Sequence, residues 1–97
     1  MKNLVVSQAI ETKLHKKHQV SIKEVEQCFY NREGKLLFDT RANTKTIPPT
    51  LWFIAPTNKN RKLKIVYIQK GLQLILKTAY EPNEVELAIY ERFGAAV

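Results

Sequence analysis

The chain has 97 residues, 44% of them hydrophobic and 26% charged, with a formal net charge of +7. That size fits one domain over residues 1–97 with a modest core. Its apolar runs fall short of the roughly 20 residues that span a bilayer, and Met1 to Val6 is too short for a secretory leader, so a cytoplasmic protein with no membrane association is expected.

The first predicted element is a helix from about Ser7 to Lys17, with Val6, Ile10 and Leu14 spaced along one face, Ser7 as its cap and Lys16, Lys17 and His18 at its end. Met1 to Val5 could precede it as a short strand. A second helix over Ile22 to Tyr30 is the best marked, because Ser21 with Glu24 makes a capping box and Val20 with Val25 a hydrophobic staple. Cys28 falls inside it and reads as a buried thiol rather than a nucleophile; as the only cysteine it forms no disulfide framework. After Gly34 the period becomes extended. Lys35 to Asp39 is a short strand candidate, followed by a polar loop holding Arg41, Lys45 and Pro48-Pro49, and then by a buried strand over Leu51 to Ala55. Lys62 to Gln69 is a strand in which Leu63, Ile65 and Tyr67 alternate with Lys62, Lys64, Val66 and Ile68, so its outer face turns from basic to apolar. Lys70-Gly71 marks a hairpin into Leu72 to Ala79, with Leu72, Leu74, Leu76 and Thr78 on one face. A last helix follows Pro82, capped by Asn83, with Glu84 and Glu86 in its first turn and Val85, Ile89 and Phe93 as its buried stripe. These elements make an α+β domain: two N-terminal helices, an antiparallel three- to four-stranded sheet and a C-terminal helix.

The charge is unevenly placed. From Thr40 to Tyr80 there is no Asp or Glu, but there are eight bases: Arg41, Lys45, Lys59, Arg61, Lys62, Lys64, Lys70 and Lys77. Since this block is also the predicted sheet, its basicity belongs to a folded surface and points to a polyanionic partner. Other chemistries are disfavoured. The three glycines, Gly34, Gly71 and Gly94, stand too far apart for a phosphate loop. His15 and His18 have no cysteine or acid cluster to complete a metal site, so neither metal nor cofactor is expected. What remains, Lys, Arg, His and Tyr around a small sheet, can neutralise an RNA phosphate and move a 2′-hydroxyl proton, with His18 as the group suited to proton transfer near neutrality. Each such residue can also be read as a solvated surface charge or a helix cap.

Lys17-His18-Gln19-Val20-Ser21, Glu24-Val25-Glu26 and Phe29, then Arg61, Leu63, Ile65-Val66-Tyr67, Gly71, Thr78-Ala79, Glu86 and Tyr90 resemble, in order and spacing, the BrnT toxins, RelE-like ribonucleases of bacterial type II toxin-antitoxin systems. The resemblance implies a compact α+β fold, endoribonuclease activity without a metal, and an acidic antitoxin as partner; the oligomer expected is either a homodimer or a toxin-antitoxin hetero-oligomer. By position, Lys17, His18, Arg61 and Tyr90 match family features. Where those toxins tend to carry Ser-Ala-Arg and further bases, this chain has Thr78-Ala79-Tyr80 and then Glu81, Pro82, Asn83 and Glu84, so a tyrosine replaces an arginine that could hold phosphate. The runs Pro48 to Phe53 and Lys77 to Asn83 also resemble small bacterial proteins labelled ADP-ribosyl-[dinitrogen reductase] hydrolase; that activity needs several aspartates on two magnesium ions, and the chain has only Asp39.

The expected roles are therefore His18 as proton-transfer group, Arg61 and Lys77 as phosphate contacts, and Tyr80 or Tyr90 as stacking or proton-donating partner. Lys17, Arg32, Arg41, Lys45, Lys62 and Lys64 are further candidates for RNA phosphate contacts. The alternative from another class is a non-catalytic module of the same fold that binds nucleic acid or an acidic protein.

Overall fold

The structure is a computed structural model and describes residues 1–39 and 48–95. In chain order its elements are β1 (Leu4–Val5), α1 (Gln8–Lys13), a π-helical turn (Leu14–His18), α2 (Ile22–Asn31), β2 (Leu37–Phe38), β3 (Thr50–Pro56), β4 (Lys62–Lys70), β5 (Gln73–Tyr80) and α3 (Glu84–Phe93). The α+β arrangement of helices, sheet and helix is as expected. The sheet is larger and not wholly antiparallel: five strands lie in the order β1-β5-β4-β3-β2, and β1 runs parallel to β5, with Leu4 opposite Leu74 and Val5 opposite Ile75. Two-residue strands such as β1 and β2 carry no alternation from which pairing could be read.

The local signals of the helices are realised. Ser7 caps α1 by accepting from the Ile10 N–H. The last turn of that predicted helix widens to π geometry and ends at Gln19, which adopts a left-handed conformation at φ 51°. At α2, Ser21 Oγ accepts from the Glu24 N–H at 3.1 Å while the Glu24 carboxylate accepts from the Ser21 N–H at 3.0 Å, so both halves of the capping box form. Val20 and Val25 are buried as the staple requires. The hairpin between β4 and β5 turns on Gly71, whose φ of +60° at the first position of a two-residue loop is one a side chain would strain.

Alternation splits the sheet into two faces. One packs Phe53, Ala55, Leu63, Ile65, Tyr67, Leu76 and Ala79 against Leu14, Val20, Val25 and Cys28 of the helical layer. Each large side chain fully buried here contributes about 1.5–3 kcal/mol. Tyr67 and Phe53 both meet Phe29 edge-on, at centroid distances of 5.2 and 5.0 Å. The face of β5 differs from the simple alternation expected of it. A register shift between Val66 and Tyr67 pairs Val66 with Thr78 and Tyr67 with Leu76, leaving Lys77 without a cross-strand partner. The extra residue brings Ala79 rather than Thr78 to the core face, and Leu72 sits exposed in the turn.

The second face is covered by α3, and here two expectations are corrected. Trp52, Ile54 and Val66 form a small buried cluster with Leu37, Leu87 and Tyr90. The face of α3 turned inward is therefore Glu86, Leu87 and Tyr90, while Val85, Ile89 and Phe93, expected as the buried stripe, are exposed. Lys64, expected on an exposed basic face, lies beneath α3 and is buried. Tyr90 decides the seating: its hydroxyl donates to the Lys35 carbonyl at 2.7 Å, its ring lies 5.6 Å from that of Trp52, and Gly34 and Gly94 leave the room it occupies.

Candidate functional site

Arg61 is the hub of the charged region. The β3–β4 turn that aims it is organised by Thr57, buried, whose N–H donates to the Arg61 carbonyl at 2.8 Å and whose hydroxyl accepts from the Arg61 N–H at 3.1 Å. The guanidinium then reaches across to the end of the π turn. It donates to the Gln19 carbonyl at 2.8 Å and the His18 carbonyl at 3.1 Å, and to the carboxylates of Glu24 at 3.1 Å and Glu81 at 3.4 Å. A left-handed glutamine costs roughly 1 kcal/mol, and the bond to its carbonyl offsets that cost. Burial opposes the charge on Arg61, but the two carboxylates outweigh it and raise its pKa. Burial likewise opposes the charge on Glu24, and the Ser21 N–H with Arg61 pulls its pKa below the ordinary value. A phosphate at Arg61 would have to compete with four acceptors already in place.

His18 stands beside this clasp, half-buried, with its ring 5.5 Å from the Tyr80 ring at an interplanar angle of 34°. Burial first, then the charges of Lys17 and Lys13, hold its pKa below the ordinary value near 6.5, so the neutral imidazole prevails at pH 7. The π turn packs against β5, which brings these two rings together from opposite ends of the chain. π-helical turns often accompany functional positions.

Behind Tyr80 lies a second charged group. Glu86 accepts from Lys64 Nζ at 2.7 Å and from the Tyr80 hydroxyl at 2.6 Å, while its other oxygen accepts from the Asn83 N–H at 3.0 Å as part of the cap of α3. The Lys64 ammonium also sits 4.5 Å from the Trp52 ring centroid, a cation–π contact. Burial works against the Glu86 carboxylate, yet Lys64, Tyr80 and the Asn83 N–H hold its pKa below the ordinary value.

The expected site residues thus divide. His18, Arg61 and Tyr80 are drawn together, with Lys17 next to His18, and Lys64 joins them through Glu86. Tyr90 lies on the far side of Trp52, engaged with Lys35, and burial raises its pKa. Arg32 closes α2, donating to the Gly34 carbonyl, 5.9 Å from the Phe53 ring centroid. Lys62 and Lys77 are exposed on β4 and β5. Arg41 and Lys45 lie outside the described residues. Cys28 is buried as expected: its thiol donates to the Ala55 carbonyl at 3.4 Å, and burial pushes its pKa up to about 12.

The sequence reading missed that acids flanking the acid-free block reach back into it. Glu24 and Glu81 take Arg61, and Glu86 takes Lys64. One signal was present, since Glu86 stands three residues after its cap Asn83 and so was bound to reach back toward the Asn83 N–H, close in sequence to the end of β5. Among the described residues no group of three or more His, Cys, Asp and Glu side chains could hold a metal ion, and no helix is long and apolar enough to cross a membrane. No family model, curated protein or solved structure matches the chain.

Proposed function

We propose that this protein binds RNA at the His18–Tyr80 edge and cuts it without a metal, as the toxin component of a BrnT/RelE-like pair whose acidic antitoxin covers the basic surface. The observation that supports the reading is the His18 imidazole, kept neutral by burial and then by Lys17 and Lys13, and placed beside an aromatic ring on which a base can stack. A neutral imidazole accepts the proton of a ribose 2′-hydroxyl. The freed oxygen attacks the adjacent phosphorus, the 5′-oxygen leaves and takes a proton from water, and a 2′,3′-cyclic phosphate remains. Lys17 supplies positive charge to the phosphoryl oxygens as this happens.

A second reading, binding without cleavage, is favoured by a specific observation: Arg61, which donates to the His18 carbonyl, and Lys64, 5.7 Å from the Tyr80 ring centroid, are neutralised internally by Glu24, Glu81 and Glu86. The two readings separate in one assay. Purified protein is mixed with end-labelled RNA in the presence of a chelator, and both binding and product ends are followed. Fragments with cyclic phosphate ends, absent with folded His18→Ala, are expected. Salt-sensitive binding with intact RNA supports the module instead. No binding and no cleavage refutes both.

A further inference from the structure

Ile89 and Phe93 of α3 border a groove of about 520 Å³ that they share with Phe38 and Trp52. Small-ligand sites have volumes of this order and are mostly apolar, with a few polar groups that fix the ligand. Two aromatic rings of the groove are open to solvent, Phe38 at 63% and Phe93 at 58% exposure. Trp52 and Lys64 line it as well, and both are buried.

The polar groups decide what fits between the rings. Glu86 uses one carboxylate oxygen on Lys64 Nζ and the Tyr80 hydroxyl and the other on the Asn83 N–H, and Asp39, the third charged residue of the groove, is also engaged. Lys64 differs: its ammonium has three hydrogens and, among the described residues, hydrogen-bonds only Glu86, although the side chain is just 10% exposed. The groove therefore offers donors and asks for acceptors. Because Glu86 already balances the Lys64 charge, a neutral acceptor suffices.

A flat ring with two acceptors on one edge meets both demands. Guanine presents O6 beside N7 and uracil a single O4, whereas adenine and cytosine place an amino donor there, against the ammonium. We propose that the groove takes one unpaired guanine of an RNA strand, stacked between Phe38 and Phe93, with O6 and N7 accepting from Lys64. This rests on the RNA-binding reading above and adds a base preference to it. Lys64 Nζ stands 5.7 Å from the centroid of the Tyr80 ring, and that ring 5.5 Å from His18, so one short stretch of strand reaches both places.

Trp52 is the single tryptophan of the chain, so its emission reports on the groove. Short 2′-O-methyl oligoadenylates, which cannot be cut, carry one central residue replaced by guanine, uracil or cytosine and are titrated into the whole chain. Trp52 emission follows the groove, and the anisotropy of an end label follows binding overall. The guanine strand is expected to change Trp52 emission and to bind at least about fivefold tighter than the all-adenine strand, the least that a matched base edge confers. 7-Deazaguanine, which lacks N7, and 2-aminopurine, which lacks O6, lose most of that gain. Phe38→Ala, at an exposed ring, weakens the guanine strand about fivefold or more and leaves the all-adenine strand unchanged. Strands that bind without a preference for guanine, or without a change in Trp52 emission, overturn the pocket and leave the RNA-binding reading standing. No binding of any strand overturns both. Guanosine 5′-monophosphate that binds the groove as tightly as the guanine strand makes it a mononucleotide site and overturns the proposal too.

Discussion

Replacing Arg61 with alanine tests whether this residue is a clasp or a phosphate contact. Its bonds to the Gln19 and His18 carbonyls, at 2.8 and 3.1 Å, are charge-assisted and sit where the side chain is 24% exposed. Each is worth about 1 kcal/mol net in such a half-open place. The Glu24 pair adds about 0.5 kcal/mol after solvent screening, and the Glu81 pair, with that side chain 66% exposed, adds close to nothing. The sum is a loss of about 2–3 kcal/mol, which for a domain of this size lowers the melting temperature by roughly 10–20 °C. Urea unfolding followed by circular dichroism measures it. Arg61→Lys recovers less than half, since a point charge cannot serve acceptors spread around a planar fork. The carboxylate share follows pH: Glu24 titrates lower in the folded state, so its contribution is complete above its unfolded pKa and disappears as pH falls through the folded one. A loss under about 0.5 kcal/mol would refute the clasp, because the carbonyl bonds alone should exceed that.

Three other outcomes follow from the same geometry. Lys64→Met leaves the Glu86 carboxylate of α3 without its cation and should cost about 3 kcal/mol at pH 7 by urea unfolding, with the deficit lost as pH falls through the depressed Glu86 pKa of the parent protein and that carboxylate protonates. Gly34→Ala places a methyl group against the Tyr90 hydroxyl and the Gly94 carbonyl, and a loss of about 1–3 kcal/mol with a shift in tyrosine fluorescence is expected. In an NMR titration His18 should show a pKa below that of a free imidazole, and Lys17→Ala should move it upward; an unchanged midpoint would remove Lys17 as a source of the shift.

What could be read beforehand was whatever a short segment decides by itself. Ser21 and Glu24 cap α2 through contacts three residues apart, and Val20 with Val25 buries the same turn, so that helix was legible nearly to the residue. α3 shows the limit. Its cap at Asn83 was visible, but its inward face was not, because Val85, Ile89 and Phe93 have the better apolar spacing. Tyr90 and Glu86 win the inward positions through partners elsewhere in the chain: the Lys35 carbonyl, Lys64, and the space beside Gly34. The candidate site divides in the same way. His18 was recognisable from its chemistry and its cationic neighbours. That Arg61 would spend its donors on the backbone of residues 18 and 19 depends on a contact between distant segments that no periodicity encodes.

The two-residue strand β1 leaves much of the outer edge of β5 without a partner strand. It covers β5 only at Leu74 and Ile75, so from Leu76 to Tyr80 that strand has no neighbouring strand on its outer side among the described residues. An open strand edge invites pairing with another chain. Lys77 stands at the irregularity in this stretch, exposed and without a cross-strand partner, and a bulge that carries a charge is a poor template for a further strand. Lys77→Val would remove the charge and leave the bulge, so slow aggregation through β5, rather than lost stability, is the expected fate of that variant.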